Sequence, residues 1–383
     1  MKLKPKETDI KIGEDDLMSK ENKPTSRQHF VPQSYLRNFT STPHLPKEKQ
    51  RIHVFDKHEN KHENKYRGEL PIEKVARVKH LYAYDLLKIL DLQEYDSNTF
   101  NFNNVEIERS QAAEKMFGNT LEPLQAETIR EIEKIVKATK TYSTDGKWAF
   151  SRPQSVISPE LKEKLATCII FQYLRTKTMS DNLATQYNKV FEHCEHWENY
   201  FNDNNNCESI AKFKKMSSSF TQEMIKNGDA SKGIPLSDLK NFAHKASTNK
   251  DFRAFMMTQI FASLEIAPVL VKKLLQYEFC ILVNLSDDVF ITSDVPVQPR
   301  NYDKQNITPY FGAMDTEIWF PITPNICICA TNYNGGTGEF DGRVWSDNTG
   351  ELVKRSNYYQ YHFADRFVFS SVNNFSSILQ MPM

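Results

Sequence analysis

The residues best suited to chemistry lie far apart in this 383-residue chain: a histidine near its start, a glutamine and an arginine in its middle, and an aspartate after an apolar run. His29 sits in SRQHFVPQSYLRNF (26–39), just before a segment that Pro32 stiffens and that Phe30, Tyr35, Leu36 and Phe39 can anchor in a core. An imidazole titrates near neutral pH and can serve as general acid, general base or metal ligand. Gln172 and Arg175 continue the seam Leu161, Leu165, Cys168, whose steps of three and four mark one face of a helix. A stripe that should face the core thus ends in an amide and a guanidinium, and a buried guanidinium needs a carboxylate or a polar cleft. It reads either as a staple between helices or as a clamp for an anion. Asp294 ends FITSDVPV (290–297), an apolar strand stopped by Pro296. A carboxylate there can bind a metal or act as a base, or it can cap its own turn. Asn325 repeats the pattern at the end of WFPITPN (319–325). Glu114 shares a helical face with Ile107 and Gln111 and lies between Ala113 and Met116, which makes it a candidate partner for Arg175.

Converging, these groups make a site. His29 is the acid/base or metal ligand, Glu114 and Asp294 are base or ligands to a divalent metal, and Gln172, Arg175 and Asn325 bind substrate. No activated Ser or Cys accompanies them, so the set suits hydrolysis of a phosphodiester better than acyl transfer. A structural network of paired polar groups has the same composition.

The elements that must position these groups fall into an α+β order. Residues 1–25 read as a polar, disordered tail. Residues 26–100 carry the motif and short strands such as HVFDK (53–57). The tetrapeptide repeat in KHENKHENK (57–65) puts His58 and His62 at helical spacing but without an apolar face, so it reads as a loop or hairpin tip. Residues 101–275 are helical, with breaks at Gly118 and Pro123 and a start signal at Ser158-Pro159. Residues 276–383 hold short β-branched and aromatic runs, YEFCILVNL, VFITSD, IWFPI, NICICAT and RFVFSS, between turn residues, which predicts a mostly antiparallel sheet. YNGGTGEFDG (333–342) precedes no helix and reads as a turn, not a phosphate loop. The whole is expected to form one compact unit.

Bulk properties narrow the function. Lysines plus arginines number 49 and so do the acids, which argues against wholesale electrostatic binding of nucleic acid but leaves room for a local basic patch. No run of 18 apolar residues occurs and the first residues lack an apolar leader, so a cytoplasmic setting is expected. Six cysteines without a C-x-x-C pair read as reduced thiols. His193 and His196 in HCEHW have metal-compatible spacing on a polar helix.

RQHFVPQSYLRNF resembles the opening signature of a bacterial and phage domain of unknown function, number 4238, whose members begin H-[FY]-V-P-x-x-Y-L-x-x-F. VEIERSQAAE, QYLRT (172–176), FITSDVP and WFPITPN resemble four further stretches of that family. Lys177 stands where a proline is usual after the Thr, and Val295 where Asn is common. The resemblance implies identity more than activity; the setting of such domains suggests antiphage defence. The expectation is a hydrolase of nucleic acid or nucleotide phosphodiesters, nuclease-like in character. The rival is a non-enzymatic ligand-binding or sensor protein whose polar cluster is a pocket or a structural network.

Overall fold

The computed structural model describes residues 27–57, 66–79, 81, 116–139, 141–143, 148–151, 155–203, 236–262, 266–301, 316–332, 338 and 340–375. The polar lead, the repeat from His58, and the stretch bearing Glu106, Gln111 and Glu114 lie outside the described residues. The chain runs β1 (Arg27–His29), α1 (Gln33–Leu36), β2 (Arg51–Asp56), β3 (Tyr66–Pro71), β4 (Arg77–Lys79), α2 (Glu122–Ala138), β5 (Thr141–Ser143), β6 (Trp148–Ser151), α3 (Pro159–Leu174) and α4 (Lys177–Asp203). It continues through α5 (Leu236–Thr248), α6 (Lys250–Ala262), α7 (Ile266–Leu274), β7 (Glu278–Asn284), β8 (Thr292–Ser293), β9 (Gln298–Asn301), β10 (Thr316–Thr323), β11 (Ile326–Asn332), β12 (Arg343–Asp347), α8 (Glu351–Phe363) and β13 (Phe367–Ser370). The class is α+β, with the helical middle expected.

Alternation along the strands divides the core. In the seven-stranded sheet, ordered β5-β6-β12-β7-β11-β10-β9, every described pairing is antiparallel except β12 with β7. Ile318, Phe320 and Ile322 of β10 face one side and join Leu165 and Ile169 of α3. Trp319, Cys327 and Cys329 face the other and meet Val353 and Tyr359 of α8. Every residue of β10 is therefore buried, which period-two side chains allow only in a sheet covered on both faces.

The second sheet, β3-β2-β13-β8, ties the two ends of the chain together: β2 pairs antiparallel with β13 from Phe367↔Asp56 to Ser370↔His53. β1 and β4 form a two-stranded ribbon with His29 opposite Arg77. The motif then turns at Pro32 into α1, and Tyr35, Leu36 and Phe39 are buried in the main core. The Tyr35 hydroxyl bonds Thr292 Oγ1 at 2.8 Å and donates to the Pro321 carbonyl.

Local chemistry sets the helix bounds. Ser158 Oγ accepts the Leu161 N–H at 3.1 Å, and Pro159 opens α3, as the start signal predicts. The break at Gly118 and Pro123 is a π-helical turn, Phe117–Leu121, followed by α2 with Pro123 in its first turn. The C-terminal third is β-rich as expected and also holds a helix, α8. Asp347 accepts the N–H groups of Thr349, Gly350 and Leu352 and starts α8, while Gly350 takes φ +75°. Among the described residues no helix is long and apolar enough to cross a membrane.

Candidate functional site

The seam of α3 ends as the spacing predicts: Gln172 and Arg175 are 2% and 3% exposed. Both reach across to the motif's backbone. Arg175 Nη2 donates to the His29 carbonyl at 2.6 Å, and Gln172 Nε2 donates to the Phe30 carbonyl at 3.3 Å. The described carboxylate on Arg175 is Glu122, with Oε1 3.3 Å from Nη1, while Phe117 lies under the guanidinium at 4.2 Å. Ser34 Oγ reaches the other Glu122 oxygen at 3.5 Å. Glu114 lies outside the described residues.

His29 is held on its ring side as well. Arg37 Nη2 donates to Gln33 Oε1 at 2.8 Å, which leaves the Gln33 amide nitrogen 3.0 Å from His29 Nε2. That amide can only donate, so Nε2 accepts and the ring proton sits on Nδ1. Burial pushes the pKa of His29 down to about 4, helped by the charges of Arg77, Arg175 and Arg37 and opposed by the Val75 carbonyl. The ring is neutral near pH 7, and its accepting nitrogen is occupied.

Asp294 is 2% exposed. It does cap backbone, though of a distant segment rather than its own turn. Oδ1 accepts the Asp365 N–H at 2.9 Å, and Oδ2 accepts those of Arg366 and Phe367 at 2.8 Å each. Burial pushes its pKa up to about 6 against the pull of the Phe367 and Arg366 N–H groups, the nearby Asp365 carboxylate adding to the rise. Oδ2 is saturated, which leaves one lone-pair direction on Oδ1 for anything else. Among the described residues no three His, Cys, Asp or Glu side chains converge as a metal requires. Asn325 stands in the exposed β10–β11 turn, where its carbonyl takes the Asn284 N–H at 2.9 Å. It shares no described contact with His29, Arg175 or Asp294. His193 and His196 are exposed on α4.

Of these groups only Asp294 lines a cleft of about 490 Å³; Gln172 and Arg175 lie outside it, against Phe117 and Glu122. The cleft's apolar wall includes Phe30, Leu70, Val78 and Phe367, and its charged wall carries Arg67, Lys74, Arg77, Lys177 and Arg366 against the two carboxylates Asp294 and Asp365. Some of that charge is spent. Arg67 and Arg366 both hold the fully buried Asp56, at 2.6 and 2.9 Å, and Lys177 pairs with Asp181 at 2.6 Å and Asp365 at 3.3 Å. Lys74 and Arg77 form no ion pair among the described residues.

Sequence reading missed Glu122, Lys74, Arg77 and the Asp56 pair. Glu122 escaped because the π turn shifts the helical phase ahead of it. Lys74 ends a three-residue 3-10 turn and Arg77 opens a three-residue strand, both too short for periodicity to reveal.

The chain belongs to the family described as protein of unknown function DUF4238, whose model matches residues 27–374. No curated protein and no solved structure matches it.

Proposed function

We propose that this protein binds a small anionic ligand in the cleft beside Phe30 and Asp294, with Asp294 in its wall and with Arg175 and Gln172 holding the backbone of His29 and Phe30 behind it. One observation carries the reading: a cleft of about 490 Å³ joins an apolar wall to two cations, Lys74 and Arg77, that have no ion-pair partner among the described residues. Cavities of this size with a few convergent polar groups are where small ligands bind. Binding is favoured over phosphodiester hydrolysis because the two described groups suited to base catalysis are engaged. Asp294 accepts three backbone N–H groups, and His29 Nε2 accepts from Gln33.

The test is titration of the full chain with anilinonaphthalene sulfonate, an anion with an apolar body, followed by fluorescence. The expected result is saturable one-to-one binding that the double variant Lys74→Glu, Arg77→Glu loses while its thermal melt stays cooperative. Binding that the variant retains would overturn the assignment to this cleft. Turnover of bis(p-nitrophenyl) phosphate by the pure protein, abolished by Asp294→Asn in a folded variant, would replace binding with hydrolysis.

A further inference from the structure

Resting on that reading of the cleft, the geometry points to a phosphate monoester with an apolar or aromatic body as its ligand. Lys74 and Arg77 flank the buried pair Val75-Ala76 and line the same cleft. Ala76 adopts φ +49°, a left-handed conformation that non-glycine residues seldom take and that surrounding structure must impose. Here the imposing contacts are visible. The Ala76 carbonyl accepts the Phe30 N–H at 3.1 Å, and Arg77 is paired opposite His29 in the β1–β4 ribbon. The carbonyls of His29 and Phe30 are in turn gripped by Arg175 and Gln172. The turn that carries the two cations is thus fixed from behind by buried polar contacts.

Two cations carried on a fixed turn call for a dianion. A carboxylate or sulfonate brings one negative charge, whereas a phosphate monoester brings close to two at neutral pH and three acceptor oxygens. An Arg fork beside a Lys suits that headgroup, since the guanidinium takes two oxygens at once and the ammonium neutralises as a point charge. Arg67 and Arg366 share the one carboxylate of Asp56, so their remaining positive charge adds to the pull of Lys74 and Arg77, while Asp294 is bound to backbone and sets the shape of the cleft. Phe30, Leu70, Val78 and Phe367 then face the rest of the molecule, which binds by burial of apolar surface.

Calorimetric titration of the full chain with phenyl phosphate, inorganic phosphate, benzoate and phenol separates the parts. Phenyl phosphate should bind at least about tenfold tighter than either benzoate or inorganic phosphate, and phenol should not bind measurably. Its affinity should fall as pH drops through about 6, where the second phosphate proton returns. Arg77→Gln and Lys74→Gln should each weaken phenyl phosphate about tenfold or more. Lys74 is exposed, so its variant tests the idea even if Arg77→Gln folds poorly. Benzoate binding as tightly as phenyl phosphate, or Lys74→Gln with parental affinity, overturns the phosphate assignment while the cleft reading stands. Failure of phenyl phosphate, benzoate and anilinonaphthalene sulfonate alike overturns both.

Discussion

Asp294 and His29, held by separate sets of partners, respond to pH in opposite senses. The Asp294 carboxylate, raised to about 6, prefers its proton more in the folded chain than in the unfolded one, where a carboxyl titrates near 3.9. Its stabilising contribution is complete below about pH 4 and is lost as pH rises through 6. His29, lowered to about 4, behaves in the reverse sense: its contribution is complete above about 6.5 and is lost as pH falls through 4. The two terms oppose each other across about pH 4 to 6.5, so the parent should have a shallow profile there. His29→Asn should become more stable as pH falls through that window, and Asp294→Asn less stable. Urea unfolding at several pH values reads this directly, and identical slopes in parent and both variants would refute it. Asp294→Asn should also lose about 2–4 kcal/mol near neutral pH, because an amide nitrogen replaces one carboxylate oxygen and faces backbone N–H donors. At this scale the sequence announced that Arg175 is buried and needs a carboxylate or a polar cleft, since an apolar seam runs into its guanidinium. Which acid meets it was hidden, because the π turn between Phe117 and Leu121 moves Glu122 out of the phase that an unbroken α-helix implies.

Elements were legible where apolar periodicity and capping agree, and obscure where burial is polar. Helix α3 has its Ser-Pro start and its apolar seam, and it forms as expected. Helix α8 escaped because its buried face is Val353, Ser356, Asn357, Tyr359 and Gln360, which has almost no apolar stripe. Those amides instead serve the chain on either side of β8. Asn357 accepts the Ile291 N–H at 2.9 Å and donates to the Val289 carbonyl at 2.8 Å, and Gln360 donates to the Pro296 carbonyl at 2.9 Å. The opposite case is α1. One turn of helix is unstable alone, so Gln33–Leu36 depends on what it is anchored to. Tyr35 supplies that anchor through its stack on Phe320, 5.5 Å between ring centres, and through its buried hydroxyl bonds. Tyr35→Ala should therefore cost about 3–5 kcal/mol, and Tyr35→Phe about 1–2 kcal/mol for the hydroxyl alone. Chemical denaturation of both variants checks this, and a Tyr35→Phe protein as stable as the parent would show that those bonds contribute nothing.

At the scale of the molecule, the chain is knotted together at its centre and looser at one side. The main core joins Phe39 from the motif, Ile169 from α3 and Phe320 from the sheet, and β2 with β13 closes the two ends of the fold on each other. This closure could not be read locally, since a strand of the first sixty residues meets one from the last twenty and no local pattern names the partner. Helices α4, α5 and α6 are different. They contact chiefly one another, through pairs such as Tyr187 with Phe242 and Phe191 with His244, and Phe242 is 40% exposed. Among the described residues the buried apolar side chains of α5 are the small Ala243 and Ala246, so opening this helix exposes little described apolar surface. Regions with few buried apolar contacts open below the global unfolding energy. Deuterium uptake followed by mass spectrometry should show α4 and α5 exchanging with little sensitivity to urea. Amides of α3, β10 and β11 should exchange only with the large urea dependence of global unfolding. Equal protection and equal urea dependence across both groups would mean that the helical side is bound into the core after all, through surfaces other than the ring pairs described.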